Sequence, residues 1–222
     1  IPSNALMHIV VATSMTSAIV NLACSLRSHY RQNNIDWHVV KMFFPGIIIG
    51  SLVLGPLIML FLSSSHLKVI FGISCLFFGL QMFLARQKND AIKHLPPESQ
   101  LLLLGLGSGA FSTLVGISGG TIIGTILNYY QMNMRKVIGT TTSIAFILSI
   151  AGTIGLLVVG YKTSNSLSWC TGFVYWPAVL GIALPSPLFA PLGAKLAHHL
   201  PTRILRKLFA FLLLAVGIKM ML

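Results

Sequence analysis

Acidic residues are almost missing from this chain. Asp36, Asp90 and Glu98 are the only three among 222 residues, and all lie between apolar stretches rather than inside them. A cation path through a membrane normally carries an intramembrane carboxylate, and none is available here. Charge of either sign is scarce: 8% of residues are charged and 55% are hydrophobic, where a soluble domain has roughly 25% charged residues. That excludes a water-soluble fold. Cysteine is scarce as well, since Cys24, Cys75 and Cys170 form no metal or redox motif, so neither a metal nor a cofactor is expected. The chain opens Ile1-Pro2 without an initiator Met or a basic leader. Its first apolar stretch therefore reads as a span and not a signal peptide, and the natural N-terminus is expected upstream.

Fifteen lysines and arginines give a net charge of +12. In a membrane protein these residues collect in cytoplasmic loops, so topology alone produces a basic total. No basic run is interleaved with aromatics on a polar domain, so the expected partner is the lipid bilayer and not nucleic acid. Charge-free stretches cover residues 6–26, 42–62, 69–85, 101–134, 137–161 and 173–194, and a seventh runs from 208 to 218. At about 20 apolar residues per crossing, they predict an all-α, polytopic integral membrane protein with seven embedded segments. Pro177, Pro185, Pro187 and Pro191 predict kinks in the sixth.

The one sizeable polar connection, residues 86–100, contains Pro96-Pro97. It divides the chain into a first repeat over 1–86, a linker over 87–100 and a second repeat over 101–222. Val10-Val11-Ala12-Thr13-Ser14 aligns with Gly139-Thr140-Thr141-Thr142-Ser143, and Gly55, Leu67, Lys68 and Phe71 align with Gly193, Leu205, Arg206 and Phe209 at one constant offset. Extended backward, that register places the partner of residues 101–130 before Ile1, so the first repeat is expected to lack its first membrane segment. Internal repeats of this sort mark secondary transporters.

Residues 101–134 run for 34 positions without a charge. A straight helix of that length would measure about 50 Å, against a hydrocarbon core of roughly 30 Å. Gly116-Ile117-Ser118-Gly119-Gly120 sits at the centre, and glycines that cost about 1 kcal/mol each in a helix interior make this the natural break. A re-entrant hairpin of two half-helices is the expectation. Loop charge points the same way. A full crossing would leave eight Lys and Arg on one face and seven on the other, whereas a hairpin leaves twelve on one face and only Lys68, Lys162 and Lys219 opposite. The second distribution obeys the positive-inside rule. Each complete repeat then holds one hairpin and three crossings, an odd number, so the two repeats are expected to be inverted.

Inside the spans the remaining polarity is hydroxyl and backbone. The candidate substrate-binding residues are Gly116, Ser118, Gly119, Gly120 and Thr121 at the break, with Thr13, Ser14, Thr141, Thr142 and Ser143 from the repeated motif. Hydroxyl donors and free N–H groups at a half-helix N-terminus suit a small anion, because that helix end carries roughly half a positive charge. Each residue also has a plain structural reading. Gly116, Gly120 and Gly124 form a small-xxx-small series that lets helices approach closely, and Ser or Thr hydroxyls can bond their own helix carbonyl one turn back. His8, the only histidine inside a charge-free span, is a candidate proton relay or a hydrogen-bonded interior residue.

These residues resemble the sulfite exporter TauE/SafE family of bacterial and plant membrane proteins. The resemblance rests on Gly116 to Gly120, on Gly139 to Ser143 and on its degenerate copy Ala12-Thr13-Ser14. Asn34-Ile35-Asp36-Trp37 and Tyr175-Trp176-Pro177 add to it. Members of that family usually carry a triple glycine where this chain has Ser118-Gly119-Gly120, and a proline where it has Gly124-Thr125. The resemblance implies proton-linked transport, as an exporter in the bacterial inner membrane, of sulfite, a sulfonate or another small organosulfur anion.

Two other classes fit parts of the pattern. Gly116-Ile117-Ser118-Gly119 matches the Gly-x-Ser-Gly of rhomboid intramembrane proteases, whose serine needs a histidine within hydrogen-bond reach. The downstream candidates, His198 and His199, lie in a basic loop, and His8 precedes the motif. A membrane scaffold whose glycines serve only assembly is the other alternative, and the internal repeat argues against it.

Overall fold

The computed structural model describes residues 5–84, 96–116, 119–130, 134–161, 169–187, 189 and 202–221. Helix α1 (Leu6–Arg31) is followed by α2 (Trp37–Phe61), α3 (Ser64–Leu84), α4 (Glu98–Val115), α5 (Gly120–Tyr129) and α6 (Met134–Gly160). A two-stranded hairpin, β1 (Cys170–Thr171) with β2 (Val174–Tyr175), leads into α7 (Trp176–Ala183), and α8 (Thr202–Met221) comes last. Helices α1, α2, α6 and residues 64–83 of α3 are long and apolar enough to cross a membrane.

Local chemistry explains the element ends. Asn33 takes a left-handed conformation (φ 54°) just past α1, a state that Asn tolerates better than most residues. Three residues later the Asp36 carboxylate accepts from the backbone N–H groups of His38 (3.1 Å) and Val39 (3.4 Å), capping α2. Within α2, residues Ile49–Leu54 form a π-helical turn immediately before Gly55-Pro56. Pro56 has no N–H for a carbonyl four residues back, and a widened turn is one way a helix absorbs that loss. Neither the π turn nor the short β-hairpin was visible in the apolar pattern. In the sixth span α7 stops at Ala183. Leu184 keeps the α conformation and its N–H donates to the Leu180 carbonyl at 3.1 Å, but Pro185 has no N–H to continue the ladder, so the helix is interrupted there as its prolines led one to expect. Pro191 and residues up to 201 lie outside the described residues, as does most of the linker.

Close contacts fix the helix directions. Helix α4 runs parallel to α2: a side chain at Gly46 would strike the Leu102 carbonyl, one at Gly50 the Leu106 carbonyl, and one at Gly55 the Thr113 side chain at 2.6 Å. Small residues let these backbones touch. Helix α5 runs antiparallel to α6, since Gly120 lies beside Ala145 and Thr141 while Gly124 lies beside Thr141. Gly139, near the start of α6, abuts Asn34 between α1 and α2, and Gly155 abuts Leu52 and Pro56 near the other end of α2. Helix α6 is therefore parallel to α2, and both α4 and α6 start on the face that holds the α1–α2 turn. Helices α4 and α5 enter and leave on one side, as a re-entrant hairpin does.

Equivalent helices of the two halves point in opposite directions. Helix α1 is antiparallel to α6, with Met15 against Gly152 and Thr16 Oγ1 3.4 Å from Thr153 Oγ1. Helix α8 is antiparallel to α3: Gly79 lies beside Ala210 and Leu214, and Gly72 beside Gly217 and Met221. The core where these elements meet buries Met15, Phe43, Ile47, Met59, Ile144 and Leu148. Phe61, Phe77 and Phe211 are exposed on the outside, where a bilayer supplies the apolar surroundings that water would not.

Candidate functional site

Helix α4 ends at Gly116, whose φ of 72° is the left-handed state favouring glycine. Its N–H donates to the Ser112 carbonyl at 2.8 Å. Its carbonyl accepts from the Ser14 hydroxyl of α1 at 3.4 Å, with Val11 packed alongside. Ile117 and Ser118 lie outside the described residues, and so does the side chain of Thr121. The chain resumes at Gly119, and α5 begins at Gly120. A methyl on Gly119 would lie 2.7 Å from Ser112 Oγ and 2.8 Å from Leu148, so the hairpin tip is wedged between α4 and α6. Ala145 and Leu148 straddle the middle of α6. The N-terminus of α5 is thus held about halfway through the protein.

The predicted residues divide into those that meet at this tip and those that do not. Gly116, Gly119, Gly120 and Ser14 meet there. Thr13 sits one residue before Ser14, but its Oγ1 accepts the Tyr175 N–H at 3.1 Å. The hydroxyls expected to face the anion are spent on their own helix. Thr141 Oγ1 donates to the carbonyl of Val137 (2.8 Å) or Ile138 (3.1 Å), Thr142 Oγ1 to Ile138 (2.8 Å), and Ser143 Oγ to Gly139 (2.9 Å). A hydroxyl has one proton, so in this structure none of the three has a donor left for an anion. The reason is local: in a helix the carbonyl one turn back is the nearest acceptor.

Two hydroxyls outside the candidate binding set are better placed. Ser112 on α4 and Ser149 on α6 are buried to within 1% of complete burial, and their oxygens have no hydrogen-bond partner. An unpaired hydroxyl in an apolar interior costs on the order of 1–3 kcal/mol, and Ser112 lies directly at the hairpin tip. The available signal was positional: Ser112 falls one helical turn before Gly116, and Ser149 lies one turn past Ala145 on the small-residue stripe of α6.

His8 stands apart from the tip. Its Nε2 contacts the Met59 carbonyl at 3.1 Å, which can only accept, so Nε2 carries the proton. Nδ1 lies 3.5 Å from Ser64 Oγ, and the ring leans on Phe173 with centroids 5.2 Å apart. It ties α1 to the turn between α2 and α3 and to the β-hairpin.

Residues 3–220 match the family model described as sulfite exporter TauE/SafE. A probable membrane transporter protein of Haemophilus influenzae is 29% identical over 229 residues, covering 100% of this chain and 84% of that protein. Another, from Methanocaldococcus jannaschii, is 25% identical over 214 residues, 96% of this chain and 78% of the relative. A probable membrane transporter protein MamO of Paramagnetospirillum magneticum is 26% identical over 93% of the chain, which corresponds to 37% of that longer protein. No solved structure matches the chain. With the polytopic helical fold and a family match that spans nearly every residue, this chain belongs to the sulfite exporter TauE/SafE family of membrane transporters.

Proposed function

We propose that this protein is a secondary transporter, and not an enzyme, that moves a small oxyanion of the sulfite or organosulfonate class across the bacterial inner membrane. The observation that carries the reading is the N-terminus of α5, held midway through the protein beside the buried, unpartnered hydroxyl of Ser112. The first N–H groups of a helix have no partner within it, and the aligned peptide dipoles add roughly half a positive charge there. Broken helices of secondary transporters aim such ends at anionic groups near mid-membrane. Among the described residues the acids are Asp36, which caps α2, and Glu98, at the start of α4. Neither lies at the tip, so nothing there repels an anion.

In this reading the anion accepts from the α5 N-terminus, Ser112 and Ser149, and Gly116 and Gly119 keep the backbone close. Proton linkage runs through His8, the histidine buried in α1. The test is flux in proteoliposomes: sulfite, sulfoacetate and thiosulfate uptake are measured with and without a pH gradient, with sodium and potassium as controls. Uptake of at least one of the anions is expected. Cation flux without anion flux, or no flux of any of these anions, overturns the reading.

A further inference from the structure

A polar cavity lies at the face where α1 ends and α6 begins. It has a volume of about 440 Å³ and is bounded by His29, Gln32, Asn34, Arg135 and Ile138. Its walls are rich in donors. The Asn34 amide donates one N–H to Gln32 Oε1 at 3.0 Å, and the Gln32 amide donates to Ser28 Oγ at 3.3 Å; each amide nitrogen carries a second N–H. His29 Nδ1 is buried without a hydrogen-bond partner. The charge around it is positive, from Arg135 and Lys136 on α6 and Arg27 and Arg31 on α1. The nearby acid, Asp36, already accepts from the N-terminus of α2.

Position relates this cavity to the hairpin. Ile138 precedes Thr142 by one turn of α6, the helix against which α5 descends from the tip. At the far end of α6, Gly160 abuts Phe173, on which His8 packs.

We propose that the cavity of His29, Gln32, Asn34 and Arg135 is an anion-binding vestibule that collects the substrate on the Lys/Arg-rich face. That an anion is the cargo rests on the function proposed above; that the cavity attracts and binds a small oxyanion rests on its own donors and charge. Anionic lipid headgroups share this chemistry, and the vestibule is assigned to the soluble ion. A mouth lined by charge of one sign raises the local concentration of its counter-ion, and salt screens the effect.

The test reads the cavity without requiring transport. In full-length protein with Cys24, Cys75 and Cys170 replaced by Ala, Gln32→Cys is modified in detergent by anionic (sulfonatoethyl) and cationic (trimethylammonioethyl) methanethiosulfonate. The anionic-to-cationic rate ratio should exceed that of 2-mercaptoethanol by about fivefold or more at low salt and shrink in 0.5 M NaCl. Arg135→Gln should lower it, Arg135→Lys should restore it, and Lys219→Gln on the opposite face should leave it alone. Millimolar sulfoacetate should slow modification, and phosphatidylglycerol in nanodiscs should not replace that protection. A ratio equal to that of the free thiol, or one indifferent to Arg135→Gln, overturns the vestibule. So does protection by the lipid and not by sulfoacetate. A normal ratio in a protein that carries no anion would instead count against the transport reading alone. Asn34→Cys, measured in the same way, guards against local disturbance at Gln32.

Discussion

Thr13 Oγ1 accepts the backbone N–H of Tyr175 at 3.1 Å, joining α1 to the N-cap of α7 from 162 positions away. The other half repeats the bond: Thr140 Oγ1 on α6 accepts the backbone N–H of Asp36, the N-cap of α2, at 2.9 Å. Each half thus offers a threonine from its long helix to the helix start of the other. The contacts pair Thr13 with Thr140, whereas the repeated motif in the sequence matches it with Thr142. A two-residue shift escapes notice when both copies are runs of hydroxyls.

This pairing predicts matched costs. Thr13→Val or Thr140→Val preserves shape but removes the acceptor, leaving a partly buried N–H unpaired. Each should lower stability by about 1–3 kcal/mol, read as a lower midpoint of thermal unfolding in detergent. A large loss for one and none for the other would mean that the two bonds are not equivalent.

The hairpin is tested by accessibility. Single cysteines at Glu98 and Lys136 should react with an impermeant thiol reagent from one face, and those at Ser65 and Tyr161 from the other. Residues 98 and 136 flank the segment in question, so opposite labelling of these two would show that it crosses the membrane.

The glycines of the tip should respond unequally. A Cβ on Gly119 would lie 2.7 Å from Ser112 Oγ and 2.8 Å from Leu148, but one on Gly120 meets nothing nearer than 3.6 Å. Gly119→Ala should therefore abolish flux or reduce the folded yield, with Gly120→Ala close to the parent in both. Gly116→Ala is strained by its positive φ and by Val11 at 3.2 Å, a cost of roughly 1–2 kcal/mol. Equal behaviour of Gly119→Ala and Gly120→Ala would place the tip elsewhere.

Much of this architecture could be read from charge and periodicity. The overlong charge-free segment, its glycines and the distribution of Lys and Arg led to a hairpin, because each reflects a bulk property of the bilayer. The repeat led to opposed helix directions for the same reason. Which hydroxyl has a free proton was not legible, since a carbonyl lies one turn back of each of them and the outcome depends on the side-chain rotamer that packing selects. Thr141, Thr142 and Ser143 turn back onto their own helix, and Ser112 and Ser149 do not. The cavity at His29 and Arg135 joins residues more than a hundred positions apart, and no local pattern announces it.

His8 separates coupling from structure. His8→Gln keeps an amide that can donate to the Met59 carbonyl, so the fold should survive. If His8 passes protons, anion exchange at equal pH persists in the variant while stimulation by an imposed pH gradient is lost. Retained stimulation would reduce His8 to a tie between α1 and the α2–α3 turn.

The hydroxyls give the sharpest contrast between binding and folding. Ser112 Oγ and Ser149 Oγ are buried and unpaired, so removing either relieves a desolvation cost without breaking a bond. Ser112→Ala and Ser149→Ala should leave stability unchanged or slightly raised. If these groups donate to the anion, each variant should lose about 1–2 kcal/mol of binding, roughly a 5- to 30-fold increase in apparent Kd. Ser143→Ala should do neither to any extent, because that hydroxyl already donates to the Gly139 carbonyl of its own helix. Sites that are costly to the fold yet needed for function are where stability and activity pull apart. Parallel unfolding and anion-uptake titrations on the three variants decide the matter. Weakened uptake in Ser143→Ala with normal uptake in both Ser112→Ala and Ser149→Ala would move the binding site back to the hydroxyl run of α6.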